Sequence, residues 1–302
     1  MATTFENMQD DVFSATGLDA TGDLAAVKRA LNAVARNVEY AHNWRHRLKD
    51  GYLSTVTPYA TGTVTATNAS ATVTGSGTTF ATFTAGAKKF ALAYSSPWYY
   101  ASRDSATQLT LTQSQTYSEE TVAGSAFVLY ADTYDLATDV LSLADDSFRL
   151  HTARPNGTLD WVPMSRLDRD HYIHGVTGRP QAWSEEPDYT AGTRRVRVYP
   201  IPDAVYRVRY SYWKKYTDMS GSSDECDVPE ERRELVVWGA IEWCARVAGL
   251  SEVATRFGDM YRLGLAQAIS KEKSLRPAAR KYRRWDAATS GPAFFLNTDQ
   301  LQ

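Results

Sequence analysis

DLAAVKRALNAVARNVEYAHNWRHRLKDG, residues 23–51, is the stretch on which the reading of the fold turns. Leu24, Val27, Leu31, Val34, Val38, Ala41 and Leu48 recur at spacings of three and four, with Trp44 close to the same line. That period predicts an amphipathic helix over 23–49. Asp23 suits the positive end of its dipole, and Gly51 suits its exit. Lys28, Arg36, Asn37, Asn43 and Arg47 fall on the opposite face. So narrow an apolar stripe needs a partner helix, and the next residues do not supply one.

They turn instead to a different composition. Residues 55–131 are rich in Thr, Ser, Ala, Val and Tyr, in short alternating runs: 63–66, 71–74, 89–93, 109–112 and 126–130. Gly75-Ser76-Gly77, Ala85-Gly86 and Ser96-Pro97 supply turns between them. Five or six short strands in this span predict a small sandwich or barrel. Residues 132–192, rich in Asp, Arg, Pro and Gly, read as irregular with short strands. A hairpin is then predicted. Arg195, Arg197 and Tyr199 alternate with Val196 and Val198, and, after Pro200-Ile201-Pro202-Asp203, Tyr206, Val208, Tyr210 and Tyr212 alternate with Arg207 and Arg209.

The partner helices come at the far end. Val228-Pro229-Glu230-Glu231 opens one, with Pro in the first turn and acids near the positive end of the dipole. Leu235, Trp238, Ile241, Ala245 and Ala248 form its stripe, widened by Val236, Val237, Trp243, Cys244 and Val247 into a surface that predicts deep burial. After Gly249, Ser251 can cap a second helix, with Val253, Phe257, Met260, Tyr261, Leu265 and Ile269 as its apolar positions. Pro277 ends or kinks the basic extension beyond it. The expected fold is α+β. An antiparallel bundle of one N-terminal and two C-terminal helices (23–51 and 226–285) carries a β-sandwich or barrel-like insertion (52–131). Residues 132–225 add the irregular region and the hairpin. An acidic arm (1–22), a short helix or an ordered segment, and a tail (286–302) flank the whole.

Composition sets limits on function. The chain has 302 residues, 43% hydrophobic and 23% charged, with a net charge of −2, so neither wholesale disorder nor whole-protein attraction to polyanions is expected. No apolar run approaches the roughly 20 residues of a membrane span, and no signal peptide is expected at the acidic N-terminus. Cys226 and Cys244 fit a reducing compartment. The charge is uneven. Residues 1–23 carry Glu6, Asp10, Asp11, Asp19 and Asp23 without a cation, whereas 271–284 carry Lys271, Lys273, Arg276, Arg280, Lys281, Arg283 and Arg284 against Glu272 alone. This basic run, with Tyr282 and Trp285 able to stack on bases, reads either as a solvated helix end or as a cationic surface for DNA or an acidic partner.

Catalytic signals are weak. His42 and His46 stand four apart but lack the Glu of a zinc-protease helix and read as solvated histidines. His171 and His174 lie near Asp168 and Asp170 in a polar loop without further ligands. The acid pairs at 119–120, 145–146 and 185–186 are adjacent, whereas glycosidase carboxylates face each other across a cleft. Gly75-Ser76-Gly77 lacks the trailing Lys of a phosphate loop. No enzyme, cofactor or metal is expected from these residues, and a hydrolase with a site in 132–192 is the weakest of the readings.

Taken in order, three segments resemble the head–tail adaptor family of tailed bacteriophages. They are the helix carrying Val27-Lys28-Arg29-Ala30-Leu31-Asn32; the β excursion from Gly62-Thr63-Val64-Thr65 through Thr72–Phe80 and Thr107–Leu111 into Tyr134–Val140; and Tyr199-Pro200-Ile201-Pro202 with Tyr210–Lys215, Asp227–Glu230 and Val237–Ala240. Leu136-Ala137 departs from the family's expected Leu-Pro, which affects a local turn. The resemblance implies a structural subunit of a homo-oligomeric ring, commonly of twelve copies. Such a ring docks under the portal protein, meets a tail, tail-terminator or nozzle protein below, and lets genomic DNA pass without sequence recognition. It further implies a place at the virion neck, with the host cytoplasm as the site of assembly. Lys271, Lys273, Arg276, Arg280, Lys281, Arg283 and Arg284 are then expected to line the channel or touch the portal, and Phe294, Phe295 and Leu296 to dock into it. The 18 Tyr and 8 Trp suit recurrent interfaces. The competing expectation is a tail- or fibre-associated module binding a host glycan or another virion protein through exposed Trp98, Tyr99 and Tyr100.

Overall fold

The computed structural model describes residues 4–80, 87–94, 96–144, 147–151, 157–167, 176–186 and 193–274. It is a mixed α+β protein with large multi-stranded sheets. Two of its cores are extensive, one within the sheets and one among the helices.

The helical layer begins with α1 (Phe5–Thr16), whose Phe5, Met8 and Val12 are wholly buried, so the acidic first residues include a packed helix. Next comes α2 (Leu24–Tyr40), with Val27, Leu31, Val34 and Val38 buried as the period requires. It stops well short of residue 49. The Trp44 indole donates to the Val38 carbonyl at 2.8 Å, and the Arg47 guanidinium donates to the Glu39 carbonyl. Side chains thus satisfy two carbonyls of the last turn, and the chain passes through one 3-10 turn (Arg45–Arg47) into β1 (Leu48–Ser54). Gly51 accordingly closes no helix. It lies under the Tyr210 ring, where a Cβ would stand 2.3 Å from Cζ.

The β excursion comprises β2 (Thr63–Ala66), β3 (Thr72–Ser76), β4 (Ala87–Ala91), β5 (Trp98–Arg103), β6 (Gln108–Leu111), β7 (Val122–Ser125) and β8 (Val128–Asp135). They pair in the order β8-β4-β5-β6-β3-β2-β7. Six strand spacings in a flat sheet would separate β8 from β7 by roughly 29 Å. Yet only Ala126 and Phe127 join them, a reach of about 10 Å. The sheet must therefore roll up, and Val64, Val73, Phe80, Phe90, Leu109, Leu111 and Phe127 fill it.

The roll is not a separate module. Later in the chain run β9 (Val140–Leu143), β10 (Arg149–Leu150), β11 (Asp160–Trp161), β12 (Thr177–Gly178), β13 (Ala182–Glu186), β14 (Arg195–Tyr199), β15 (Ile201–Pro202) and β16 (Arg207–Lys214). β14 pairs with β8 and β13, so strands from 160–199 extend the same ten-stranded sheet. β16 belongs to a different sheet, against β1, β9 and β10. The predicted hairpin is therefore not formed: its two strands separate at Tyr199-Pro200-Ile201. Ionic pairing is the reason. Arg197, which alternates with Val196 and Val198 in the sequence, is buried beside Asp132 of β8 and Glu186 of β13, and β14 follows those acids. The alternation in β16 holds: Val208, Tyr210 and Tyr212 point inward, Arg207 and Arg209 outward.

From β16 the chain returns to the helices. Tyr216, Met219, Cys226 and Val228 enter the helical core, and Asn32 of α2 pairs with both the amide and the carbonyl of Met219 at 2.8 and 2.9 Å. α3 (Glu230–Val247) packs against α1, α2 and α4 (Ser251–Ser274). A bare Gly239 permits the approach: a Cβ there would lie 2.5 Å from Val34 of α2 and 3.2 Å from Tyr261 of α4. Both cysteines are free and buried.

Candidate interaction surface

The apolar breadth of α3 predicts burial on nearly all sides. Leu235, Val236, Ala240, Ile241, Cys244 and Ala245 are buried. Trp243 and Val247 are not: they stand 50% and 80% exposed. The expectation fails for these two because apolar periodicity cannot distinguish a face covered by its own chain from one left for another. Beside them, Val34 and Asn37 of α2, Gly239 and Glu242 of α3 and Tyr261 of α4 line a cleft of about 360 Å³. Its mouth carries the Glu242–Arg246 pair at 2.5 Å. The cleft is an apolar seat with a polar rim, the anatomy of a protein-binding surface.

A polar joint holds this helical surface on the sheets. Glu39 of α2, 2% exposed at its side chain, takes His46 at 3.0 Å and Arg47 at 3.2 Å. Arg47 also donates to the Lys214 carbonyl at the end of β16, and burial draws its pKa below the ordinary range despite Glu39. His42 and His46 thus come after α2 rather than sharing a face of it, and His46 answers a buried acid. Glu272, in the last turn of α4, accepts from the Arg45 amide at 3.1 Å and from Arg232 of α3 at 2.9 Å. Burial opposes its ionisation, but the Arg45 amide and Arg232 outweigh it and hold the carboxyl below its usual range. Arg232 also lies over the buried Trp44 ring at 4.1 Å.

Of the basic run, Lys271 and Lys273 are exposed on this last turn, while the one acid among them, Glu272, is buried at 3% exposure. Arg276, Arg280, Lys281, Arg283, Arg284, Phe294, Phe295 and Leu296 lie outside the described residues, as do Asp168, Asp170, His171 and His174. Among the described residues no group of three or more His, Cys, Asp or Glu could hold a metal ion, and no helix is long and apolar enough to cross a membrane.

The aromatics expected to meet a glycan are engaged within the protein. Tyr99 is buried, with its hydroxyl 2.7 Å from the Ser118 hydroxyl. Tyr100 donates to Glu186 at 3.1 Å, and Trp98 covers the Lys89 ammonium at 4.0 Å. Lys89 itself is a wholly buried cation that sequence reasoning passes over. It donates to Asp132 at 2.9 Å, next to the Arg197–Glu186 pair at 2.9 Å. Burial pulls its pKa down and Asp132 opposes the fall. Two cations and two acids gathered across four strands cancel one another, so the cluster works as a rivet of the sheet. The only signal in the sequence is a charge set between apolar strand neighbours.

The helical layer of this α+β chain leaves an apolar cleft open beside an exposed tryptophan. The SU10 adaptor protein model matches residues 98–290, and the chain belongs to this family of structural phage proteins. Comparison with curated proteins gives no match.

Proposed function

We propose that the protein is the head-to-tail adaptor of a tailed phage, forming a ring under the portal through which DNA passes. In this reading α2, α3 and α4 are the antiparallel bundle that scaffolds the subunit, and the sheets are displayed to its neighbours. Residues 271–284 face the channel or the portal, Phe294, Phe295 and Leu296 dock on the portal, and a tail protein binds below. The subunit assembles in the host cytoplasm and ends at the virion neck.

The observation that carries the reading is the exposed Trp243–Val247 side of α3 in a chain of an adaptor family. A ring subunit needs an apolar side surface for the next copy, and a rigid aromatic beside a cleft supplies large contact area at low entropic cost. The test is negative-stain imaging of the purified protein, alone and with its portal. Rings at the portal that are lost in a Trp243→Ala/Val247→Glu variant of unchanged fold support the proposal. Monomers that ignore the portal overturn it.

A further inference from the structure

A second groove runs along α3, bordered by α4 at one end and by α1 at the other. Two hollows of about 260 and 670 Å³ adjoin there, sharing Glu234 and Trp238. Ala15 of α1, Val237, Trp238 and Ile241 of α3 and Phe257 of α4 make its apolar floor. Its edges carry four acids, Asp11 of α1 with Glu230, Glu231 and Glu234 of α3, against Lys271 of α4 and the paired Arg232 and Arg233. Among the described residues none of these four carboxylates has an ion-pair partner. Of the neighbouring cations, Arg232 is turned to Glu272 and Arg233 to Glu225 and the Val228 carbonyl. Burial, helped by Asp10, raises the pKa of Asp11, so its charge is poorly solvated.

The chain leaves α4 beside this groove. Glu272 is tied to Arg232 on the first turn of α3, so Ser274 ends the helix close to Glu230 and Glu231. Beyond Leu275 the chain continues as RPAARKYRRW, residues 276–285, with five cations and two aromatics. From Glu230 to Ile241 the groove extends roughly 16 Å along α3. Five or six residues of extended chain cover that distance. The charge and the aromatic content of this segment match the acid edges and apolar floor.

We propose that residues 276–285 bind in the α1–α3 groove of their own chain, Arg280, Arg283 and Arg284 meeting the four acids while Tyr282 or Trp285 covers Trp238. This goes beyond the ring reading and does not depend on it. It shelters the cations in the free subunit and leaves them available when a partner takes the groove or the segment.

Trypsin on the full-length protein reads this directly, because Arg280, Lys281, Arg283 and Arg284 of the segment are its cleavage sites. Relative to a Glu230→Gln/Glu231→Gln/Glu234→Gln variant, cleavage within 276–285 is expected to be about tenfold slower at low salt, with the difference closing as salt screens the pairs. Protection is expected to be the same at all protein concentrations. Equal cleavage rates in parent and variant overturn the proposal, and protection that grows with concentration overturns it in favour of a second copy. To exclude misfolding of the variant, Arg280→Glu/Arg283→Glu/Arg284→Glu is made with and without Glu230→Lys, Glu231→Lys and Glu234→Lys, and cleavage is read at Lys281, the site both proteins keep. Lys281 is cut more slowly in the charge-swapped protein if the pairing is real, and equal rates count against the groove.

Discussion

Replacing Glu272 by Gln tests the joint on which the interaction surface rests. The carboxylate holds two partners at once, the Arg45 amide at 3.1 Å and the Arg232 guanidinium at 2.9 Å. Glutamine keeps the shape but presents an NH2 to one of these donors and removes the charge facing Arg232. Removing one member of a buried ion pair costs about 3–5 kcal/mol. Arg232 keeps some access to water, with 17% of its side chain exposed, and Arg45 is half exposed, which argues for the lower end, about 3 kcal/mol. For 302 residues unfolding together, an entropy of about 0.6 kcal/mol/K converts this to a fall of about 5 °C in Tm. The pH dependence supplies the sharper check. The folded-state pKa of Glu272 lies below its ordinary 4.5, so its contribution is complete above that value and disappears as pH falls through the depressed pKa. Denaturant unfolding of parent and variant should differ by the full amount at pH 7 and converge in acid, where the parent carboxyl is protonated and resembles the amide. A gap below 1 kcal/mol at pH 7, or one that is constant down to about pH 3, would refute the reasoning.

Three further outcomes are expected. Asp132→Asn strands Lys89 and Arg197 together in the sheet and should cost about 3–5 kcal/mol in urea unfolding, whereas Lys89→Met with Asp132→Leu should recover most of it. Gly51→Ala drives a methyl into the Tyr210 ring and should destabilise by about 1–3 kcal/mol, read as a drop in the urea midpoint at constant slope. Tyr100 and Tyr212 are both pushed up to about 12, burial being the larger cause, assisted by Glu186 and by the Asp139 hydrogen bond respectively. The folded protein holds those protons longer than the unfolded chain, so stability should fall as pH rises from 10 toward 12, and a phenolate absorbance titration should show these rings ionising late.

The periodic elements are legible wherever one face alone is buried. The stripe of α2 and the alternation of β16 arise from that condition, and both are present. The reading fails where burial is two-sided or where a side chain overrides the local pattern. Arg197 sits in a strand whose two faces are both covered, so its alternation with Val196 and Val198 carries no information about direction. Trp44 and Arg47 continue the helical spacing of residues 23–49, yet they end the helix by taking its last carbonyls. Trp243 and Val247 lie on an apolar surface that composition cannot distinguish from a core.

By itself the sequence determined that helices bracket a β-rich excursion, that the partners of α2 lie near residue 230, and that the cations crowd beyond residue 271. Those are properties of local period and composition. Only the tertiary structure decided that the excursion shares one rolled sheet with β11, β13 and β14, that β14 and β16 part company, and that Glu272 is the buried pin within the basic run. Each depends on which distant charge or ring arrives opposite a residue, and contacts made across 40 to 230 positions leave no period in the chain.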